Sequence, residues 1–125
     1  MATLGGRYPH PAPIEAYGNG GFRFAGMSHK GSILCLASGI EAWPVDDMQA
    51  VDGALVVRLL AEQSRPSFLL LGCGAEVAAA SSELRNAFAD AGIFLEVMST
   101  GAAARTYNVL LAEGRPVAAA LIAVA

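Results

Sequence analysis

The second half of the chain alternates between two apolar patterns, and this alternation constrains the fold more than any other feature. Apolar residues recur at helical spacing in three segments, which predicts helices that begin near Asp52, Ser81 and Ser99. Short, mainly apolar runs of strand length lie between and after them, at residues 68–71, 93–98 and 117–124. Strands that are apolar on both faces and alternate with helices are typical of an α/β domain, with a mostly parallel sheet covered by helices.

The ends of the predicted helices carry residues that favour helix boundaries. A serine or threonine before the first turn accepts hydrogen bonds from free backbone N–H groups, and a glycine after the last turn adopts the left-handed conformation. The second helix has Ser81 or Ser82 and Gly92 in these places, and the third has Ser99 or Thr100 and Gly114. Pro66 is expected to end the first helix, because proline cannot continue it.

The first half of the chain predicts an arm followed by short antiparallel strands. Residues 1–13 hold three prolines and two glycines without periodicity, which predicts a flexible N-terminal arm before a single domain at residues 14–125. A turn of glycine and asparagine at residues 18–21 separates two β-prone pieces and indicates a hairpin. The predicted strands are residues 14–17, 22–24, 31–37 and 40–45.

Composition excludes several classes of protein. Of the 125 residues, 54% are hydrophobic and 15% are charged, which excludes intrinsic disorder. A chain of this length can bury enough apolar surface for a stable core without disulfide bonds or a structural metal. The net charge of -3 and the scattered basic residues argue against nucleic-acid binding. No secretory signal is visible, and the longest apolar run, residues 117–125, is about half of a membrane-spanning helix. Cys35 and Cys73 lie in apolar runs, which fits reduced thiols and a cytoplasmic location.

A glycine-containing loop after the most apolar predicted strand is the first candidate site. It reads L-G-C-G at residues 71–74, and ligands of open α/β sheets bind beyond the carboxyl ends of strands. The loop lacks the third glycine of a dinucleotide fingerprint and the lysine of a phosphate-binding loop, so we expect no cofactor. Cys73 would need a base to act as a nucleophile, and neither His10 nor His29 is near it in the sequence. A tight turn after a strand is the alternative interpretation.

The start of the third predicted helix is the second candidate site. Free N–H groups and the positive end of the helix dipole favour an anion there. Arg105 lies one turn further on and offers a fork of donors, and Gly101 and Asn108 belong to the same segment. The alternative is structural, because serine and threonine are ordinary caps and Arg105 would equally pair with Glu96 or Asp90.

Four features occur in one order along almost the whole chain. They are G-G-F-R-F-A-G-M-S-H-K-G-S-I-L at residues 20–34, Trp43, L-L-L-G-C-G at residues 69–74, and S-T-G-A-A-A-R-T-Y-N-V-L-L-A-E-G-R at residues 99–115. This set resembles the Mth938-like family, a domain of unknown function. The resemblance implies a single three-layer α/β domain around a mixed sheet. Cys73 stands where the family usually has threonine, and Ala104 where many members have cysteine, which weakens the case for a catalytic thiol.

The resemblance implies an interaction or assembly role rather than a reaction. The family includes a mitochondrial respiratory complex I assembly factor and an adipogenesis-associated protein. Our first hypothesis is therefore a non-catalytic module that binds a protein partner and is linked to respiratory complex I assembly. It has no catalytic residue, no cofactor and no metal site, since no set of His, Cys, Asp or Glu has metal-ligand spacing.

The second hypothesis is a protein that binds a small ligand or anion, including an enzyme of unknown reaction. Its pocket would lie between the loop at residues 72–74 and the helix start at residues 100–105. The hypothesis requires both segments to lie side by side at the carboxyl edge of the sheet, with Arg105 directed into a cavity. Its site residues are Gly72, Cys73, Gly74, Thr100, Gly101, Arg105 and Asn108.

Overall fold

The computed structural model describes residues 7–125, which form two β-sheets, three α-helices and one short 3₁₀-helix. The strands are β1 (Arg7–Tyr8), β2 (Ile14–Gly18), β3 (Gly21–Phe24), β4 (Met27–Lys30), β5 (Ser32–Leu36), β6 (Gly39–Trp43), β7 (Phe68–Gly72), β8 (Phe94–Met98) and β9 (Val117–Leu121). The helices are the 3₁₀-helix Met48–Ala50, α1 (Ala54–Leu60), α2 (Ser82–Ala91) and α3 (Thr100–Ala112). None of the helices within these residues has the length and apolar character needed to cross a membrane.

Six strands form the larger sheet, in the order β1-β6-β5-β9-β7-β8. β7 pairs in parallel with β9 and β8, whereas the pairs β1–β6, β5–β6 and β5–β9 are antiparallel. The expected α/β domain with a mixed sheet is therefore confirmed, but the expectation that the sheet is mostly parallel was wrong. β5 and β6 are joined by residues 37–38 alone, and so tight a connection can link only antiparallel strands.

The larger sheet is covered on both faces, and each face has its own core. α1 and α2 cover one face, where Leu59, Leu84 and Phe88 are buried. α3 and the smaller sheet cover the other face, where Phe24 and Tyr107 are buried. Burying one large apolar side chain contributes about 1.5–3 kcal/mol, so the side chains buried on each face hold the covering layer against the sheet.

The smaller sheet contains β2, β3 and β4 in antiparallel order. The hairpin predicted between β2 and β3 is confirmed, with Tyr17 opposite Phe22 and with Asn19 at a φ of 53° in the turn. β4 was not predicted, because M-S-H-K has no alternation of apolar and polar residues. Pairing with β3, rather than its own pattern, makes this segment a strand.

The predicted N-terminal arm is partly paired with the larger sheet. Arg7 and Tyr8 form β1 beside β6, and Ala12 is buried in the core under α3. Residues 7–13 therefore do not form a loose arm, whereas residues 1–6 lie outside the described part of the chain. A strand of two residues is too short to carry a periodic signal, which is why it was missed.

The predicted caps of α2 and α3 are confirmed. Ser81 and Ser99 are the N-caps, and each hydroxyl oxygen accepts a hydrogen bond from the backbone N–H three residues later, at 3.1 and 3.3 Å respectively. Gly92 and Gly114 follow the last turns with φ values of 72° and 73°, which side chains rarely adopt. Of the alternatives that the sequence offers, Ser81 and not Ser82 caps α2, and Ser99 and not Thr100 caps α3.

Two predicted elements are longer than the observed ones. α1 ends at Leu60 and not at Pro66, because the chain turns there and places the Glu62 carboxylate against Ser38. β9 ends at Leu121 rather than at residue 124, because the next residues bond outside the regular ladder.

Candidate functional site

Thr100 joins the start of α3 to the glycine loop that follows β7. Its buried hydroxyl accepts a hydrogen bond from the backbone N–H of Gly74 at 3.0 Å and donates one to the carbonyl of Ile122 at 2.7 Å. The backbone N–H of Thr100 also donates to the carbonyl of Gly74 at 2.9 Å. The two segments that the sequence expects to meet thus lie side by side, at the carboxyl ends of β7 and β9.

Gly72 leaves the space that this contact needs. A Cβ at Gly72 would lie 3.0 Å from the Cα of Thr100 and 3.0 Å from Cδ2 of Leu121. Carbon atoms pack best at about 3.5–4.0 Å, so any side chain here would push α3 away from the sheet. The close approach of the helix therefore accounts for Gly72 without a ligand.

Cys73 is engaged within its own loop. Its buried thiol accepts a hydrogen bond from the backbone N–H of Ala78 at 3.2 Å and donates one to the carbonyl of Glu76 at 3.3 Å. The other thiol, Cys35, is fully enclosed, and burial raises its pKa, which keeps it protonated and unreactive. Within residues 7–125, no group of three His, Cys, Asp or Glu could hold a metal ion.

One face of α3 rests on β2 of the smaller sheet through Gly101 and Arg105. The ring of Tyr17 covers Gly101, where an added Cβ would lie 2.8 Å from Cζ of the tyrosine. Nη1 of Arg105 donates a hydrogen bond to the hydroxyl of Tyr17 at 3.3 Å. Arg105 is exposed, and the contact shown by its guanidinium is with β2 and not with the loop at residues 72–74.

Asn108 continues this face of α3 one turn further on. Its Oδ1 accepts a hydrogen bond from the N–H of Ile14 at 2.7 Å, and its Nδ2 donates one to the carbonyl of Ile14 at 2.9 Å. The side-chain amide therefore satisfies both backbone polar groups at the first residue of β2. This contact gives Asn108 a structural role in attaching the smaller sheet to the helix.

The adjacent face of α3 packs on the larger sheet. Thr100, Ala103, Ala104 and Tyr107 are buried on this face. The alanines have no bulk beyond Cβ, so the helix axis can approach the strands closely. The segment from residue 100 to 108 is thus divided between two contacts, one with each sheet.

A polar cluster beside α1 was not predicted from the sequence. Arg58 donates to both carboxylate oxygens of Glu41, each at 2.9 Å, and to Oε2 of Glu62 at 3.1 Å. Glu62 also accepts hydrogen bonds from the N–H and the hydroxyl of Ser38. The hydrogen bonds from Arg58 hold the pKa of Glu41 below its ordinary value. Only the spacing of Arg58 and Glu62 by four residues signals this cluster, because Glu41 lies on a distant strand.

The layered arrangement, and the contact between the loop after β7 and the start of α3, define the class of protein. They describe a single α/β domain of the Mth938-like type, with helices on one face of a mixed sheet and a helix plus a small antiparallel sheet on the other. The family described as protein of unknown function DUF498/DUF598 matches residues 14–122, and the chain belongs to this family.

Two relatives extend this assignment. An uncharacterised protein of Rhodobacter capsulatus is 43% identical over 111 residues, which cover 88% of this chain and 83% of that protein. The mouse protein named NADH dehydrogenase (ubiquinone) 1 alpha subcomplex assembly factor 3 is 26% identical over 122 residues. That match covers 98% of this chain but 66% of the mouse protein, so the chain corresponds to part of it.

Solved structures have the same fold. A crystal structure of a Bartonella henselae protein described as an outer membrane protein is 48% identical, with a TM-score of 0.88 over 94% of this chain and 99% of that one. A solution structure of a Bordetella pertussis protein described as a Mth938-like domain is 28% identical, with a TM-score of 0.75 over 90% of this chain and 85% of that one. The resemblance seen in the sequence is thus confirmed.

Proposed function

We propose that this chain is a non-catalytic module that binds a protein partner through the edge of its larger sheet and helps respiratory complex I assemble. The observation that carries the proposal is the open edge strand β8. The name of the mouse relative, an assembly factor of NADH dehydrogenase, supports the choice of complex.

The backbone of β8 has polar groups that face away from the sheet. The N–H of Phe94 and the carbonyl of Met98 are bonded on the β7 side. Because the direction of these groups alternates along a strand, the N–H and carbonyl groups of Leu95 and Val97 face outward. Within residues 7–125 no strand lies on that side of β8. A strand from another protein can bond to such an edge.

The side chains of β8 also favour an interface. The strand reads F-L-E-V-M, with a single charge, and the side chain of Phe94 is 65% exposed. Edge strands that avoid association are usually short, charged or interrupted by proline. The opposite edge, β1, has only two residues, and its Arg7 is bonded to Ser38 and Glu41. β8 is therefore the edge better suited to a partner.

The polar side chains at the carboxyl ends of the parallel strands support a non-catalytic role. An active site needs an acid, a base or a nucleophile that is free to reach a substrate. Thr100 and Cys73 each use their side chains in two hydrogen bonds within the chain, and Arg105 bonds to Tyr17. These side chains serve the packing of α3 and the loop.

Partner capture with two charge variants tests the interface. Tagged wild-type protein should retain a specific partner from the cells that produce it. Phe94→Arg should weaken this binding tenfold or more, because a charge would replace the apolar ring that the partner covers on the face of the extended sheet. Val57→Arg is the matched control, since Val57 is 69% exposed on α1, which contacts β6 near the other edge. Equal capture by the two variants would contradict the interface.

Assembly of complex I is tested in a deletion strain. Native gels of its membranes should show less assembled complex I than wild-type membranes, and Val57→Arg should restore the amount whereas Phe94→Arg should not. A normal amount of complex I in the deletion strain would contradict the assembly role.

Binding of a small anion at the rim is the second candidate function. The contact between Thr100 and Gly74 favours it, because the contact brings the glycine loop to the start of α3. In that case Arg105→Ala should weaken binding of inorganic phosphate by about 1.5–3 kcal/mol, the value of a hydrogen bond to a charged group. Calorimetry that detects no phosphate binding, or the same affinity in the variant, would exclude this function.

A further inference from the structure

A cavity of about 200 Å³ lies at the end of the larger sheet away from the glycine loop. It is found where β5 ends and where β7 and β9 begin, beside the last turns of α3. Leu36, Pro66 and Leu111 supply apolar walls. Ligand pockets usually measure about 300–1,000 Å³, so this cavity suits a small metabolite and not a nucleotide.

Tyr107 supplies a polar group inside the cavity. The residue is 1% exposed and lines the cavity, and its hydroxyl has no hydrogen-bond partner among residues 7–125. No side-chain nitrogen or oxygen of the described residues is both fully enclosed and unpartnered, so this hydroxyl reaches the cavity. Burial raises the pKa of Tyr107 and keeps the hydroxyl protonated. A hydroxyl that reaches the cavity and forms no hydrogen bond within residues 7–125 is available to a hydrogen-bond acceptor that enters the cavity.

Two arginines give the cavity a positive rim. Arg65 and Arg115 line it, and no acidic side chain does. Arg65 forms no ion pair within residues 7–125, and Arg115 lies 3.8 Å from Glu113, with both side chains more than half exposed. Such an exposed pair contributes little and yields easily to another anion. Although the chain has a net charge of -3, the two arginines make the mouth of the cavity locally positive, and this attracts anions. Guanidinium groups bind carboxylates through paired N–H donors.

We infer that this cavity binds a small carboxylate that carries a second oxygen acceptor. The carboxylate lies between Arg65 and Arg115, and the apolar body contacts Leu36 and Leu111. The second oxygen accepts a hydrogen bond from the hydroxyl of Tyr107 at the inner end. The site is separate from β8 and from the contact at Thr100. The inference therefore does not depend on the proposed partner surface.

Three small probes distinguish the parts of this inference. In a titration of ¹⁵N-labelled protein, 4-oxopentanoate should shift the amide signals of Leu111, Gly114 and Val117 and reach saturation. Pentanoate lacks the second oxygen and should bind about two- to tenfold more weakly, as for loss of one neutral hydrogen bond. Methyl 4-oxopentanoate lacks the charge and should bind about tenfold more weakly or worse. Absence of saturable shifts with 4-oxopentanoate, or equal affinity for all three probes, would overturn the inference.

Variants assign the two polar contacts. Tyr107→Phe should lower the affinity for 4-oxopentanoate to that for pentanoate and leave pentanoate binding unchanged. It should not lower the thermal unfolding temperature, because the hydroxyl has no partner in the free protein. Arg65→Gln combined with Arg115→Gln should reduce binding of both carboxylates about tenfold or more. Arg85→Gln on α2 is the matched control and should have no effect. Unchanged 4-oxopentanoate binding in Tyr107→Phe or in the double arginine variant would reject the proposed site.

Discussion

The side-chain amide of Asn108 pairs with both backbone polar groups of Ile14, 94 residues earlier in the chain. The amide bonds to β2 as another peptide group would, and it fixes the smaller sheet against α3. Tyr17, on the same strand, contacts Gly101 and Arg105 on the same face of the helix. The most distinctive segment of the sequence therefore holds two parts of the fold together.

Removal of the Asn108 amide should loosen this attachment. Asn108→Ala should lower the free energy of unfolding by about 1–3 kcal/mol, because it leaves the N–H and carbonyl of Ile14 without partners in a partly buried place. Asn108→Asp can still accept from the N–H, but its second oxygen would face the carbonyl oxygen of Ile14, and two acceptors repel each other, so this variant should be no more stable than Asn108→Ala. Urea denaturation measures both values. Wild-type stability in Asn108→Ala would show that water replaces the contact without loss.

The hydroxyl of Thr100 should contribute about as much to the free energy of unfolding as the side-chain amide of Asn108. Thr100→Val keeps the shape but leaves the N–H of Gly74 and the carbonyl of Ile122 unpaired, which should cost about 1–3 kcal/mol. Thr100→Ser keeps the hydroxyl and loses one methyl group, about 1 kcal/mol. Thermal unfolding should therefore rank wild type above the serine variant and the serine variant above valine. A valine variant more stable than serine would show that packing, and not hydrogen bonding, dominates here.

Elements with a strong apolar period were predictable from the sequence. α2, α3 and β7 appear near their expected bounds, because each buries a face or both faces and so repeats its apolar residues. β4 and β1 were missed, since both depend on pairing with a neighbouring strand rather than on their own composition. The direction of β5 and β6 also depends on a short connection and not on apolar content.

The candidate site was predictable only in its location. The loop after β7 and the start of α3, which follows β8, meet because the carboxyl ends of these neighbouring parallel strands share one edge. The contacts of Arg105 and Asn108 depend on where the smaller sheet docks, and this is a long-range property without a local signal. The same reason explains why the link from Glu41 to Arg58 was not foreseen.

Gly72 should tolerate no side chain without loss of stability, whereas Gly53 should tolerate one. Gly72→Ala places a Cβ 3.0 Å from the Cα of Thr100, and such overpacking should cost about 1–3 kcal/mol. Gly53, before α1, has an ordinary helical φ of -62° and open space around it. Gly53→Ala should therefore leave stability unchanged or raise it by about 0.4–1 kcal/mol. Denaturant unfolding compares the two variants, and equal effects would contradict the close approach of α3 to Gly72.

The Glu41–Arg58 pair should make the protein sensitive to acid. Hydrogen bonds from Arg58 hold the pKa of Glu41 below its ordinary value of 4.5, so the charged carboxylate is favoured in the folded state. This contribution is complete at pH values above the unfolded pKa, and it is lost as the pH falls through the lower, folded pKa. Glu41→Gln should thus be less stable than wild type at neutral pH, and the difference should shrink as the pH falls below the ordinary pKa of 4.5 and through the lower, folded pKa. Urea denaturation at a series of pH values measures this difference, and a gap that does not change with pH would show that the charge of Glu41 contributes nothing.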